Sequence, residues 1–323
     1  MTFGVRIATA LFPARRISGL ALGACLILLA GCTTPREAGR VDRNVVYGQV
    51  GKKKLVMDLL YPATGNGPFP VVVNLHGGAW TQGHKSMGTS WLAAPELLRR
   101  GYVFVPIYYR LAPRHRFPAQ IEDAKCAVRF LRAHAAEYNL DPNRIVAMGS
   151  SAGGHLAALL GTTDAGAGFD TSGGWTNESS RVQAVVDMFG HADLVYAMQQ
   201  KERLRLLASV VFGEQTDEAS LRRFSPVTHV TPDDPPFLLI HGDRDGIVPL
   251  HQSQLMQAAL ERERIPVELI VVKRAGHCLF AAGGKPAPSE KELSRRVAEF
   301  LDHALAPPSR SVIVQAPAET VSK

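Results

Sequence analysis

From about residue 44 to residue 305, short apolar runs alternate with amphipathic stretches, and that alternation leaves the chain few architectures. Period-two and continuous apolar patterns predict strands at 44–50, 54–60, 70–75, 102–108, 143–148, 182–188, 236–241 and 267–272. The runs Val71-Val72-Val73-Asn74-Leu75 and Phe237-Leu238-Leu239-Ile240 have no polar side, so each must be covered on both faces. Helical patterns fill 90–100, 118–138, 152–161, 251–264 and 287–304. Strands regularly interrupted by helices predict an α/β fold: a mostly parallel, eight-stranded sheet with helices on both faces. The first two strands, joined at Gly51, read as an antiparallel hairpin on one edge, with Lys52-Lys53-Lys54 as a solvated turn. Residues 191–230 break the alternation with helical sequence such as Leu204-Arg205-Leu206-Leu207. This insertion is expected to form a small helical cap over the carboxyl ends of the strands, where open α/β sheets bind ligands.

The flanks differ from this body. Residues 1–31 carry Arg6, Arg15 and Arg16, then an apolar run from Ile17 to Gly31, and no acidic residue. A positive start followed by a short apolar segment is the pattern of a secretory signal peptide, and the run is shorter than the ~20 residues a membrane-spanning helix needs. It ends in Leu29-Ala30-Gly31-Cys32, which resembles a bacterial lipobox and implies cleavage before Cys32 and acylation of its thiol. Several acyl chains, at ~0.8 kcal/mol per buried methylene, would hold the chain on a membrane. Thr33, where an aspartate could stand, fits the outer-membrane default of Gram-negative bacteria. Residues 32–43 are polar and read as a tether, and 306–323, with Pro307, Pro308 and Pro317, as a disordered tail. Loss of three arginines with the signal would lower the formal charge from +7 to +4. That excess is scattered and lacks the clustered cations and stacking aromatics of a nucleic-acid surface. Of the four cysteines, Cys126 and Cys278 lie in the body; Cys126 sits among apolar residues and reads as a buried thiol.

The chemistry-bearing signal is Gly149-Ser150-Ser151-Ala152-Gly153, the one G-x-S-x-G in the chain. It follows the strand Arg144–Met148 and opens the helical run from Gly154 to Leu160. A strand turning abruptly into a helix forces the central serine into strained backbone geometry, which flanking glycines relieve, and exposes its hydroxyl as a nucleophile. Ser150 is out of frame, because the motif would then need glycine at Met148. A serine alcohol needs a base, and behind such an elbow the partners follow in the order acid, then histidine. Of eleven histidines, His241, His251, His277 and His303 lie beyond the cap. His241 precedes every acid of its own loop, and His251 and His303 belong to helices, which leaves His277 after the strand 267–272. Asp243 and Asp245 both suit the acid, and spacing does not separate them. A metal site of His241, Asp243 and Asp245 lacks further ligands at sensible spacing, and no cofactor is expected. His76-Gly77-Gly78-Ala79-Trp80 follows the strand 70–75, where small residues let backbone amides approach an oxyanion. The expected donors are the amides of Gly78, Ala79 and Ala152. His76 is expected to shape this loop, and Trp80 either lines the pocket or packs beneath it.

With these segments placed, the chain resembles the α/β-hydrolase superfamily, in the esterase/lipase branch that includes hormone-sensitive-lipase-like enzymes. Within that branch it is most similar to the feruloyl-esterase-like and kynurenine-formamidase-like group. The resemblance spans roughly 44–305 and rests on His76–Trp80, Tyr109-Arg110-Leu111-Ala112-Pro113, Phe117-Pro118-Ala119, Gly149–His155, His241–Pro249 and Gly276-His277. It implies the α/β-hydrolase fold and a triad of Ser151, Asp245 and His277, the choice of Asp245 resting on the resemblance. Tyr109, Arg110 and His155 belong to the pattern and read as scaffold. Cys278 departs from it, since relatives often carry a small or apolar residue after the histidine. The implied activity is hydrolysis of carboxylic esters of small molecules, with short acyl or aryl groups favoured by the small cap. The same residues could serve arylformamides and other amides. A non-catalytic surface lipoprotein that binds a ligand or partner is the reading from another class, and the intact triad set argues against it.

Overall fold

The computed structural model describes residues 34–200 and 202–306. The signal segment 1–31, Cys32 and the tail from residue 307 lie outside the described residues. Eight strands run β1 (Ala38–Val50), β2 (Lys53–Pro62), β3 (Phe69–Leu75), β4 (Val103–Pro106), β5 (Leu140–Ser150), β6 (Ala184–Met188), β7 (Phe237–Gly242) and β8 (Val267–Val272). They form one sheet in the order β1-β2-β4-β3-β5-β6-β7-β8. β1 and β2 form the antiparallel edge hairpin, β2 also pairs antiparallel with β4, and β3 to β8 run parallel to one another. The helices are α1 (Ala94–Arg99), α2 (Ala119–Ala133), α3 (Ala152–Thr162), α4 (Leu194–Gln200), α5 (Glu202–Phe212), α6 (Glu218–Arg223), α7 (His251–Arg262) and α8 (Glu290–Ala304). Helices α4 to α6 are the cap, and the chain has the α/β-hydrolase fold.

The continuous apolar strands work as their sequence demands, because alternate residues point to opposite faces. Val71, Val73 and Leu75 join Phe237 and Leu239 in one core with Leu131 of α2, Leu156 of α3 and Met256 of α7. Val72, Leu238 and Ile240 face the other way, into a second core with Leu97 and Leu98 of α1 and Leu293, Val297 and Leu301 of α8. The register then aligns the strand ends: Leu75 pairs with Gly149, Gly149 with Asp187, and Met188 with Ile240. The loops that leave β3, β5, β6, β7 and β8 therefore open on one rim of the sheet.

Several boundaries differ from the sequence expectation. Residues 38–43, expected in the tether, belong to β1, where Ala38 pairs with Pro62 and Val41 with Leu60. Irregular register between Ala38 and Val41, and again between Asp42 and Val45, breaks the alternation that would have revealed them. The helix expected over 118–138 ends at Ala133, where His134 (φ −106°, ψ 18°) leaves helical geometry, and left-handed Asn139 (φ 54°) then precedes Leu140, which pairs with Phe69. The helix expected from 287 starts at Glu290, capped by the Ser289 hydroxyl accepting from the Glu292 amide at 3.3 Å. The stretch 90–100 divides into a 3-10 turn (Thr89–Ala93) and α1.

A buried ion pair fastens α2 beneath the hairpin side of the sheet. Arg110 Nε donates to both Asp123 oxygens at 2.8 and 2.9 Å, and the Arg110 amide donates to Oδ2 at 2.8 Å. Burial pushes the Asp123 carboxyl up to about 6, and the Arg110 contacts oppose that rise. Removing one partner strands the other charge in the core. Asp123→Ala is therefore expected to lower unfolding free energy by about 3–5 kcal/mol, read from urea denaturation curves.

Candidate active site

Ser151 sits between β5 and α3 with φ 56° and ψ −119°, outside every region an ordinary side chain favours. Close backbone packing holds the turn. A β-carbon on Gly149 would lie 2.2 Å from the Gly153 carbonyl oxygen, and one on Gly153 would lie 2.1 Å from that of Leu75. The Ser151 amide donates to the Met188 carbonyl at 2.8 Å, and its carbonyl accepts from the His155 amide at 3.0 Å. The hydroxyl is thus presented at the amino terminus of α3, where the helix dipole favours negative charge.

The loops after β7 and β8 bring the other expected residues to it. His277 Nε2 lies 3.0 Å from Ser151 Oγ, and His277 Nδ1 lies 2.7 Å from Asp245 Oδ2. The alternatives left open for the acid separate here: Asp245 meets His277, while Asp243 points toward Lys273 at 3.9 Å. The Asp245 side chain is fully buried and that of His277 nearly so. Asp245 Oδ1 accepts from the amides of Ile247 and Val248 at 2.8 and 2.9 Å. Burial works to raise this carboxyl. Hydrogen bonds from His241, His277 and the Ile247 amide outweigh it and hold Asp245 well below the usual carboxylate range. Phe189 packs edge-on against His277, with ring centroids 4.9 Å apart.

The His76–Trp80 loop runs beside the serine. A β-carbon on Gly77 would stand 3.5 Å from Ser151 Cβ, and left-handed backbone at Gly78, Ala79 and Trp80 curls the chain there. The Gly78 carbonyl is taken by the Thr81 and Gln82 amides, which closes the curl. The Ala152 amide opens α3 and has no carbonyl within its own helix to reach. His76 shapes the loop as expected: its Nδ1 meets the Gly77 carbonyl at 2.7 Å, and its ring stacks on Tyr109 at 4.1 Å. Tyr109 in turn donates to the His76 carbonyl at 2.7 Å. Trp80 is buried beneath the cap, 5.1 Å from the His155 ring, 5.9 Å from that of His191 and 6.0 Å from that of Phe212. His155 Nε2 reaches the Phe224 carbonyl at 2.7 Å, so it ties α3 to the cap.

Spacing pointed past His241, Phe189 and His191, although all three border the triad. Chain order excludes His241 as the base, and the others carry no motif; only their place at the ends of β6 and β7 marks them. Cys126 is a buried thiol, and no disulfide joins it to Cys278. Cys278 has left-handed backbone (φ 59°) and receives the Thr89 hydroxyl on its carbonyl at 3.5 Å. A hydroxyl, an imidazole and a buried carboxylate in one hydrogen-bonded line, beside a curl of small residues, can activate an oxygen nucleophile and receive an oxyanion.

Known proteins share this frame. The chain is 34% identical over 218 residues to the probable carboxylic ester hydrolase LipM of Mycobacterium tuberculosis, covering 66% of this chain and 50% of that protein. It is 32% identical over 247 residues to the probable isoprenylcysteine alpha-carbonyl methylesterase ICMEL1 of Arabidopsis thaliana, covering 73% of this chain and 51% of that one. The chain thus spans about half the length of these curated relatives. Among solved structures, a truncated carbohydrate esterase from gut microbiota superposes with a TM-score of 0.73 at 27% identity, covering 84% of this chain and 99% of that one. Thermogutta terrifontis esterase 2 with bound propionate superposes with a TM-score of 0.68 at 27% identity, covering 84% of this chain and 97% of that one. The BD-FAE family model matches residues 57–260, and the chain belongs to the BD-FAE family within the α/β-hydrolase esterases and lipases.

Proposed function

We propose that this protein is a serine hydrolase of carboxylic esters, and the observation that carries the proposal is the unbroken line Ser151–His277–Asp245. Ser151 Oγ attacks the acyl carbon while His277 Nε2 takes its proton. Asp245 holds the imidazole with Nδ1 protonated and stabilises the imidazolium. The amides of Gly78, Ala79 and Ala152 receive the oxyanion, each such donor contributing about 2.7–4 kcal/mol to the transition state. The alcohol leaves with the proton from His277, an acyl-enzyme remains, and water activated by the same imidazole releases the acid. No cofactor enters these steps.

Relatives named as ester hydrolases support the reaction class, and so does the likeness to Thermogutta terrifontis esterase 2, which has been obtained phosphorylated by paraoxon. Short acyl or aryl esters are favoured, because Trp80, His155, His191 and Phe212 fill the space beneath the cap. The carbohydrate esterase likeness supports carbohydrate-linked esters as the alcohol part. We further propose an exported, lipid-anchored protein, on the strength of the three arginines, the apolar run and Leu29-Ala30-Gly31-Cys32. No helix of the described residues is long and apolar enough to cross a membrane.

Ser151→Ala is expected to lower turnover by ~10⁶-fold, the scale of losing a triad nucleophile. Hydrolysis of p-nitrophenyl acetate measures it, and retention of activity within about tenfold removes the mechanism. Rates on acetylated sugars, a feruloyl ester and N-formylkynurenine rank the substrates; faster cleavage of the formamide would replace the ester assignment with an amidase. A folded wild type that resists fluorophosphonate labelling would instead fit a binding lipoprotein. Cys32→Ser is expected to move the protein from the membrane to the soluble fraction on fractionation of expressing cells, and unchanged membrane association defeats the anchor.

A further inference from the structure

The hydrogen-bonded line does not stop at Asp245. His241, at the carboxyl end of β7, is fully buried, and its Nε2 lies 2.9 Å from the Val248 carbonyl and 3.4 Å from Asp245 Oδ2. A carbonyl oxygen can only accept, so Nε2 carries the proton and donates it to Val248, with Asp245 Oδ2 next nearest at 3.4 Å. Nδ1 is then an acceptor, and the buried Ser253 hydroxyl on α7 donates to it at 2.7 Å. The tautomer of His241 is thus set by its partners. Asp245 Oδ2, the oxygen that grips His277, also has His241 Nε2 within 3.4 Å, while Oδ1 is held by the Ile247 and Val248 amides. Phe189 lies edge-on to both rings, at 6.4 Å from His241 and 4.9 Å from His277.

We propose that His241, held by Ser253, is a positioning residue for the hydrolysis: it fixes the Asp245 carboxylate and so the angle at which His277 meets Ser151. The geometry explains why an imidazole occupies the end of a strand whose other side chains are apolar. The two contacts of Nε2 lock the Asp245 side chain to the loop that carries it, since Val248 both offers its carbonyl to His241 and its amide to Asp245. Ser253 ties that arrangement to the rigid helix α7. Without the donor, Oδ2 keeps only His277, and the carboxylate can rotate about the bonds that Oδ1 makes.

This role rests on the serine-hydrolase reading, so the wild-type full chain is first tested for fluorophosphonate labelling and ester hydrolysis. His241→Met, similar in reach but without a donor, is expected to lower kcat by about 10²-fold, the scale of a small misplacement of catalytic groups. KM should change by less than about threefold, because substrate contacts are untouched. His241→Gln, which returns an N–H near the Nε2 position, should recover kcat to within about tenfold of wild type, and Ser253→Ala should lower kcat by about tenfold. The positioning role is overturned if His241→Gln falls as far as His241→Met, or if KM rises while kcat holds. Should His241→Met fail to fold, Ser253→Ala decides, and an unchanged kcat overturns the proposal. A folded wild type that neither labels nor hydrolyses overturns the hydrolase reading itself, whereas labelling with unaffected variants removes the positioning role alone.

Discussion

The left-handed backbone of Ser151 persists because the strand before it and the helix after it leave it no alternative. Holding a residue with a side chain in such a region costs roughly 1–3 kcal/mol, and the neighbouring structure must over-determine it. Here the surroundings are backbone: the carbonyls of Leu75 and Gly153 stand where β-carbons at 153 and 149 would go. Three parallel strands meet at this point, since β5 is paired with β3 on one side and β6 on the other. The same closeness that forbids side chains at 149 and 153 brings the β3 loop, with its small residues, alongside the serine. The serine's exposure and the amide curl beside it therefore have a single origin in strand register.

From that register follows the rest of the site. Five loops leave the same rim, and the triad draws one residue from each of three of them, after β5, β7 and β8. None of the three could be exchanged along its strand without losing the pattern, because a one-residue slip would turn each strand's core residues to the wrong face. The two cores of the sheet, divided strictly between odd and even residues in β3 and β7, are what hold the rim in place. Function at the ends of the strands depends on apolar burial along their middles.

The sequence made the elbow legible because it combines a local motif with a local change of period, from strand to helix, at one glycine-flanked serine. His277 was reachable by elimination, since chain order and strand ends left no competitor. Asp243 and Asp245 could not be distinguished by pattern: both are loop aspartates two residues apart, and only the path of the loop turns one toward His277 and the other toward Lys273. The link between His241 and Ser253 is hidden for a different reason. Their partnership crosses from a strand to a helix and is made inside the core, where neither spacing nor charge leaves a trace. The early part of β1 escaped because its bulges destroy the alternation by which strands are recognised.

The electrostatics of the rim are one-sided. Asp245 is buried yet ionised, sustained by two amides and two imidazoles. The other histidines nearby go the opposite way: burial lowers His76 and His155 to about 4 and His191 to about 3, the neighbouring His155 and His277 adding to the effect at His191. They are neutral in neutral solution, so they add packing and hydrogen bonds around the site without adding charge. A second imidazolium beside Trp80 would repel the positive charge that must grow on His277 as it takes the serine proton. Desolvating His155 and His191 beside Trp80 leaves Asp245 as the charge in contact with His277. In the proposed mechanism, the cap thus favours proton transfer by helping to keep these histidines dry.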